Sequence, residues 1–88
     1  MSPKNRNEFE GYNRNVGFEY RATFTATNNV EYEGWAYPTG RATDEGALVW
    51  QIVKHSYDTS GNLTKSSWAD YTDAFIKSWT LKGNYNYA

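Results

Sequence analysis

The stretch Phe18–Tyr37, FEYRATFTATNNVEYEGWAY, decides the fold class of this chain. In its first half Phe18, Tyr20, Ala22, Phe24 and Ala26 alternate with Glu19, Arg21, Thr23, Thr25 and Thr27. Successive side chains of a strand point to opposite faces, so this period of two predicts a half-buried β-strand. Asn28-Asn29 tolerates the positive φ of a tight turn, and Val30–Tyr37 resumes as a second strand, which makes a hairpin. On that second strand Glu31, Glu33, Trp35 and Tyr37 share one face, while Val30, Tyr32, Gly34 and Ala36 share the other, so one face is mixed.

Pro38–Gly46 (PTGRATDEG) reads as a loop, because Pro, Gly and adjacent acids disfavour both helix and strand. Ala47–Tyr57 (ALVWQIVKHSY) is the most hydrophobic and β-prone run and is expected to be the central strand. Asp58–Asn62 forms a hairpin loop with Gly61 in the left-handed position, and Leu63–Ala69 returns as the next strand. In Asp70–Trp79 the spacing turns helical, with Tyr71, Phe75 and Trp79 on one stripe and Asp70 as N-cap, so a short helix is expected there. Thr80–Tyr87 reads as a closing strand.

These elements predict an all-β domain over residues 18–88, an antiparallel sandwich or partly open barrel of about five or six strands with at most one short helix. Its core is expected to unite Trp50, Ile52, Trp68, Phe75 and Trp79. Residues 1–17 are dominated by Asn, Gly and charge and are expected to be a flexible N-terminal arm, with Phe9 and Tyr12 as anchors and Lys4, Arg6 and Arg14 for polar contacts.

A length of 88 residues excludes two domains, and without cysteine no disulfide or thiolate metal site staples the fold. Four Trp, eight Tyr and four Phe must carry that role; Tyr and Trp are enriched at interfaces, which favours an oligomer or docked subunit. A formal charge of −1 with no block of like charge argues against nucleic acid as a partner. No apolar run reaches the length of a membrane span, and Met1–Val16 offers no hydrophobic stretch for a signal peptide, so the chain is expected to be made in the cytosol.

No catalytic, metal or cofactor machinery is readable. His55, the single histidine, has no triad partner or companion ligand near it in sequence and reads as a plain strand residue. The carboxylate pairs Glu31 with Glu33, Asp44 with Glu45 and Asp70 with Asp73 read as solvated acids and a helix cap, since so short a chain has little room for a hydrolase cleft. Asp58, Asn62, Asp70 and Asp73 lack the regular oxygen ladder of a calcium loop. Exposed aromatics offer a second class, a carbohydrate-binding module on which sugar rings stack. Trp35 and Tyr37, sharing a face with acids, are the expected exposed pair, whereas Trp50 and Trp79 look buried.

Five pieces of the second half occur in a consistent order: Ala42-Thr43 in a loop, Trp50-Gln51-Ile52-Val53-Lys54, Tyr57-Asp58-Thr59-Ser60-Gly61-Asn62, Trp68-Ala69-Asp70, and Phe75-Ile76-Lys77-Ser78-Trp79 before the closing Tyr85 and Tyr87. In this pattern Trp35–Tyr87 resembles a group of short virion proteins and domains of tailed bacteriophages. The chain departs from that group at Tyr71, where the group tends to have Gly, and lacks its Trp-Asp-Asp-Arg continuation after Trp79. The resemblance implies a non-enzymatic structural piece of the virion, without cofactor, present in multiple copies and docked on other virion proteins. Phe9, Tyr12, Trp35 and Tyr37 are the expected interface residues.

Overall fold

A computed structural model describes residues 17–38 and 42–88. The described residues form one open antiparallel sheet of four strands in the order β1-β2-β3-β4. β1 is Glu19–Phe24, β2 Val30–Ala36, β3 Gln51–Tyr57 and β4 Leu63–Trp68. The fold class is all-β, as the period of two requires. Fifth and sixth strands are not among the described residues, which hold no α-helix and hence no helix long and apolar enough to cross a membrane.

The two hairpins differ in how closely they follow the sequence pattern. Between β3 and β4, Asp58 N–H donates to Asn62 O at 2.9 Å, Gly61 N–H donates to Asp58 O at 3.0 Å, and Gly61 sits at φ 86°. That is the left-handed glycine expected at this loop. Between β1 and β2 the connection is wider than the expected Asn28-Asn29 pair: Thr25 N–H donates to Asn29 O at 2.8 Å and only Asn28 takes a positive φ, 68°. A register shift at Thr23/Phe24 ends β1 early, so Thr25–Thr27 belong to the turn.

The central strand also starts later than its hydrophobicity predicts. Pairing with β2 begins at Trp35↔Gln51, and beyond it β2 has no residues left to pair Ala47–Val49. Leu48 is therefore 65% exposed, and Trp50 makes an isolated bridge to Lys77 instead.

The C-terminal part corrects two expectations. Asp70–Trp79 is not a helix, because Asp70 and Tyr71 take left-handed φ values of 50° and 64° inside a single 3-10 turn, Ala69–Tyr71. Phe75 and Trp79, four residues apart, then pack on opposite sides of the sheet, which one helical stripe could not achieve. Thr80–Tyr87 is not a strand; a second 3-10 turn, Lys82–Asn84, occupies its middle. Asp70 pins this segment instead of capping a helix: Asn86 N–H donates to its Oδ1 at 2.9 Å and Lys77 Nζ to its Oδ2 at 2.7 Å.

Ala69 and residues 77–87 thus cover one face of the sheet. Ala36, Trp50, Ile52, Ala69 and Trp79 are buried there, with Tyr32, Tyr85 and Tyr87 packed around them. Three of the five expected core residues are present. Trp68 and Phe75 are not, because the register Val53↔Trp68 turns Trp68 to the other face, where Phe75 joins it.

Candidate functional site

Among the described residues the opposite face is met only at one end, by the loop carrying Asp73 and Phe75. Strand alternation and register place Tyr20 and Ala22 of β1, Glu31, Glu33 and Trp35 of β2, Gln51, Val53 and His55 of β3, and Ser66 and Trp68 of β4 on it. At the end where β1 begins, aromatic rings gather. Trp35 lies 5.6 Å from Tyr20 and 6.3 Å from Trp68 between centroids, and Phe18 stacks on Phe75 at 6.0 Å. Tyr37, 60% exposed, leans on Phe75 at 4.5 Å. Phe18, Trp35, Gln51, Trp68 and Phe75 line a cleft of about 220 Å³. Gln51 Nε2 donates to Asp73 O at 2.8 Å, which fixes the amide at the cleft wall and ties down the loop carrying Phe75.

Of the expected interface residues, Trp35 and Tyr37 therefore belong to one aromatic cluster, joined through Phe18 and Phe75. Phe9 and Tyr12 lie outside the described residues.

Beside the cleft a polar row crosses all four strands. Tyr20 OH donates to Glu33 Oε2 at 2.6 Å, Glu33 Oε1 meets His55 Nε2 at 2.5 Å, and His55 Nδ1 meets Ser66 Oγ at 2.6 Å. Partial burial, with the phenolic proton held by Glu33, pushes Tyr20 up to about 12. His55 is a strand residue of β3, as expected, with no partner close to it in sequence. Its partners stand 22 and 11 residues away and reach it only through strand pairing.

Serine, histidine and glutamate are the members of a nucleophilic triad, but their setting here is different. Ser66 lies exposed on the edge strand, the aromatic cleft is lined by neither Ser66 nor His55, and no α-helix among the described residues offers an N-terminus for an oxyanion. Both Glu33 oxygens are already engaged. Each link joins neighbouring strands, so the row stitches the sheet together from edge to edge. No group of three metal-ligating side chains occurs among the described residues.

The basic side chains among the described residues gather on the covered face, where Arg21 and Lys77 pair with Glu19, Glu45 and Asp70. Among the described residues, Arg21 lies 5.4 Å from the Trp50 ring, Lys54 5.6 Å from Tyr32, Lys77 4.9 Å from Tyr85 and Lys82 4.6 Å from Trp79. Lys65 lines a recess with Tyr85 and Tyr87. Every one is on the covered side, leaving Glu31 and Glu33 on the open one. Comparisons with family models, curated proteins and solved structures gave no match.

Proposed function

We propose that this chain is a non-enzymatic structural subunit of a tailed-bacteriophage virion, made in the host cytoplasm and docked in multiple copies on neighbouring virion proteins. One observation carries the docking: the chain's own C-terminal segment packs mainly over one sheet face, while the other, met among the described residues only at one end by residues 73–75, keeps an open aromatic cleft at Trp35 and Trp68. Tyr and Trp in a partly desolvated cleft are the side chains that anchor protein interfaces. Each contact can be weak, because copies on a repeating lattice add avidity. The two sheet edges, β1 and β4, remain unpaired among the described residues, and the further strands of a five- or six-stranded sandwich would be added there.

Mass spectrometry of purified particles tests this reading. The chain is expected in intact virions, and its absence from them removes the proposal. A variant lacking residues 1–17 is expected to fold yet attach poorly. A second reading, a carbohydrate-binding module, is supported by the tilted Trp35–Trp68 pair beside the Gln51 amide, an arrangement able to stack on a sugar ring and hydrogen-bond its rim. Glycan-array binding lost in Trp35→Ala without loss of fold would favour it over the structural reading.

A further inference from the structure

The open face joins an aromatic cleft to carboxylates with no lysine or arginine among the described residues, and the chain itself contains a segment of complementary chemistry. In residues 1–16 Lys4, Arg6 and Arg14 outnumber Glu8 and Glu10 and accompany the rings of Phe9 and Tyr12. This segment joins the sheet at the cleft, since the next large side chain, Phe18, forms its rim against Phe75. We infer that the open face is the receptor for residues 1–16 of a second copy of this chain, with an aromatic ring seated in the cleft lined by Trp35, Trp68 and Phe75 and basic side chains facing Glu31. The inference rests on the multi-copy reading above.

A second copy is the better source than the same one. β1 enters the sheet at the end where Glu19 pairs with Ala36, the end at which the cleft lies. To lie along their own face, residues 1–16 would have to double back antiparallel to β1; a neighbour's segment needs no reversal. Sixteen residues extend over roughly 50 Å at most, enough to bridge adjacent copies. Such an arm-to-face contact is heterologous: reciprocal exchange closes a dimer, and one-way exchange builds a ring or an open row.

Sedimentation equilibrium of the full chain over about a hundredfold concentration range is the test. Wild type is expected to self-associate. Phe9→Ala with Tyr12→Ala, and separately Lys4→Glu with Arg6→Glu and Arg14→Glu, should each weaken association about tenfold or more. Added salt should weaken the wild type, since part of the attraction is between exposed charges. Circular dichroism of both arm variants should match wild type, as the changes lie outside the four described strands. A wild type that stays monomeric overturns the inference. Self-association indifferent to both arm variants does so too, and leaves the face to another virion protein or a glycan. Monomers whose tryptophan emission shifts in the arm variants place the segment on its own face and also overturn it. Detection of a monomeric chain in virions defeats this inference alone, whereas arm-dependent association of a chain absent from virions defeats the virion reading alone.

Discussion

A Cβ placed on Gly34 would lie 2.6 Å from Trp79 Cε3 and 2.8 Å from Cζ3, so the Trp79 ring rests directly on the bare backbone of β2. Trp50 Cε3, at 3.4 Å, closes the other side. The glycine that weakens the apolar pattern of β2 is the position that lets two tryptophans pack on the sheet. Gly34→Ala is expected to cost about 1–3 kcal/mol through overpacking of this contact. Urea unfolding followed by tryptophan emission measures it; an unchanged midpoint would mean that Trp79 moves aside freely.

Trp50, just before β3, and Trp68, at the end of β4, should respond very differently to truncation. Trp50 is fully buried, bridges to Lys77 through its backbone, and donates Nε1–H to Asp44 O at 3.1 Å. Trp50→Ala should cost about 3–5 kcal/mol and unfold much of so small a domain. Trp68 is 36% exposed on the open face, so Trp68→Ala should leave a folded protein. Comparable losses in thermal melts of the two variants would show the faces to be misassigned.

Tyr71 holds φ 64° with 62% of its surface exposed. A left-handed conformation strains any residue with a Cβ, and little packing is lost on its removal. Tyr71→Gly should therefore stabilise the chain by about 0.5–1 kcal/mol, the unfolded-state entropy of glycine offsetting part of the gain. A lowered melting temperature would show that the Tyr71 ring makes contacts that outweigh the strain.

Acid should loosen the C-terminal cover first. Lys77, then Asn86 N–H, hold the Asp70 carboxyl below the ordinary carboxylate range. The unfolded chain consequently takes up this proton before the folded one does. The contribution of Asp70 is complete above the ordinary value near 3.9 and is lost as pH falls through the depressed folded value. Asp70→Asn should lower the urea midpoint at neutral pH, with the gap to wild type narrowing only in strongly acidic solution. A gap independent of pH would assign the effect to geometry instead of charge.

Purified protein is expected to show no turnover of ester substrates, despite the Ser66–His55–Glu33 row. Saturable hydrolysis abolished by Ser66→Ala but not by Tyr20→Phe would overturn the non-enzymatic reading. Without such activity, His55→Ala should act through the sheet alone. Charge-assisted hydrogen bonds at partly exposed sites support a loss of about 1–2 kcal/mol.

The sequence by itself determined what depends on neighbours along the chain. Alternation at Phe18–Phe24, the hairpin at Asp58–Asn62 with Gly61, and the run around Ile52 specify strands and turns through local sterics and period, and the structure has them. What required the tertiary structure was every choice between partners far apart in sequence. Tyr71, Phe75 and Trp79 carry a helical spacing that would bury them together, yet Asp70 bonds to Asn86 and Lys77, and the segment wraps the sheet end so that Phe75 and Trp79 land on opposite faces. Trp68 looks like core by composition, but pairing with Val53 turns it to the open face. The polar row and the gathering of basic side chains on one face were invisible for the same reason: strand register, set by cross-strand hydrogen bonds and by how much apolar surface each pairing buries, decides which alternating residues of four separate strands share a side.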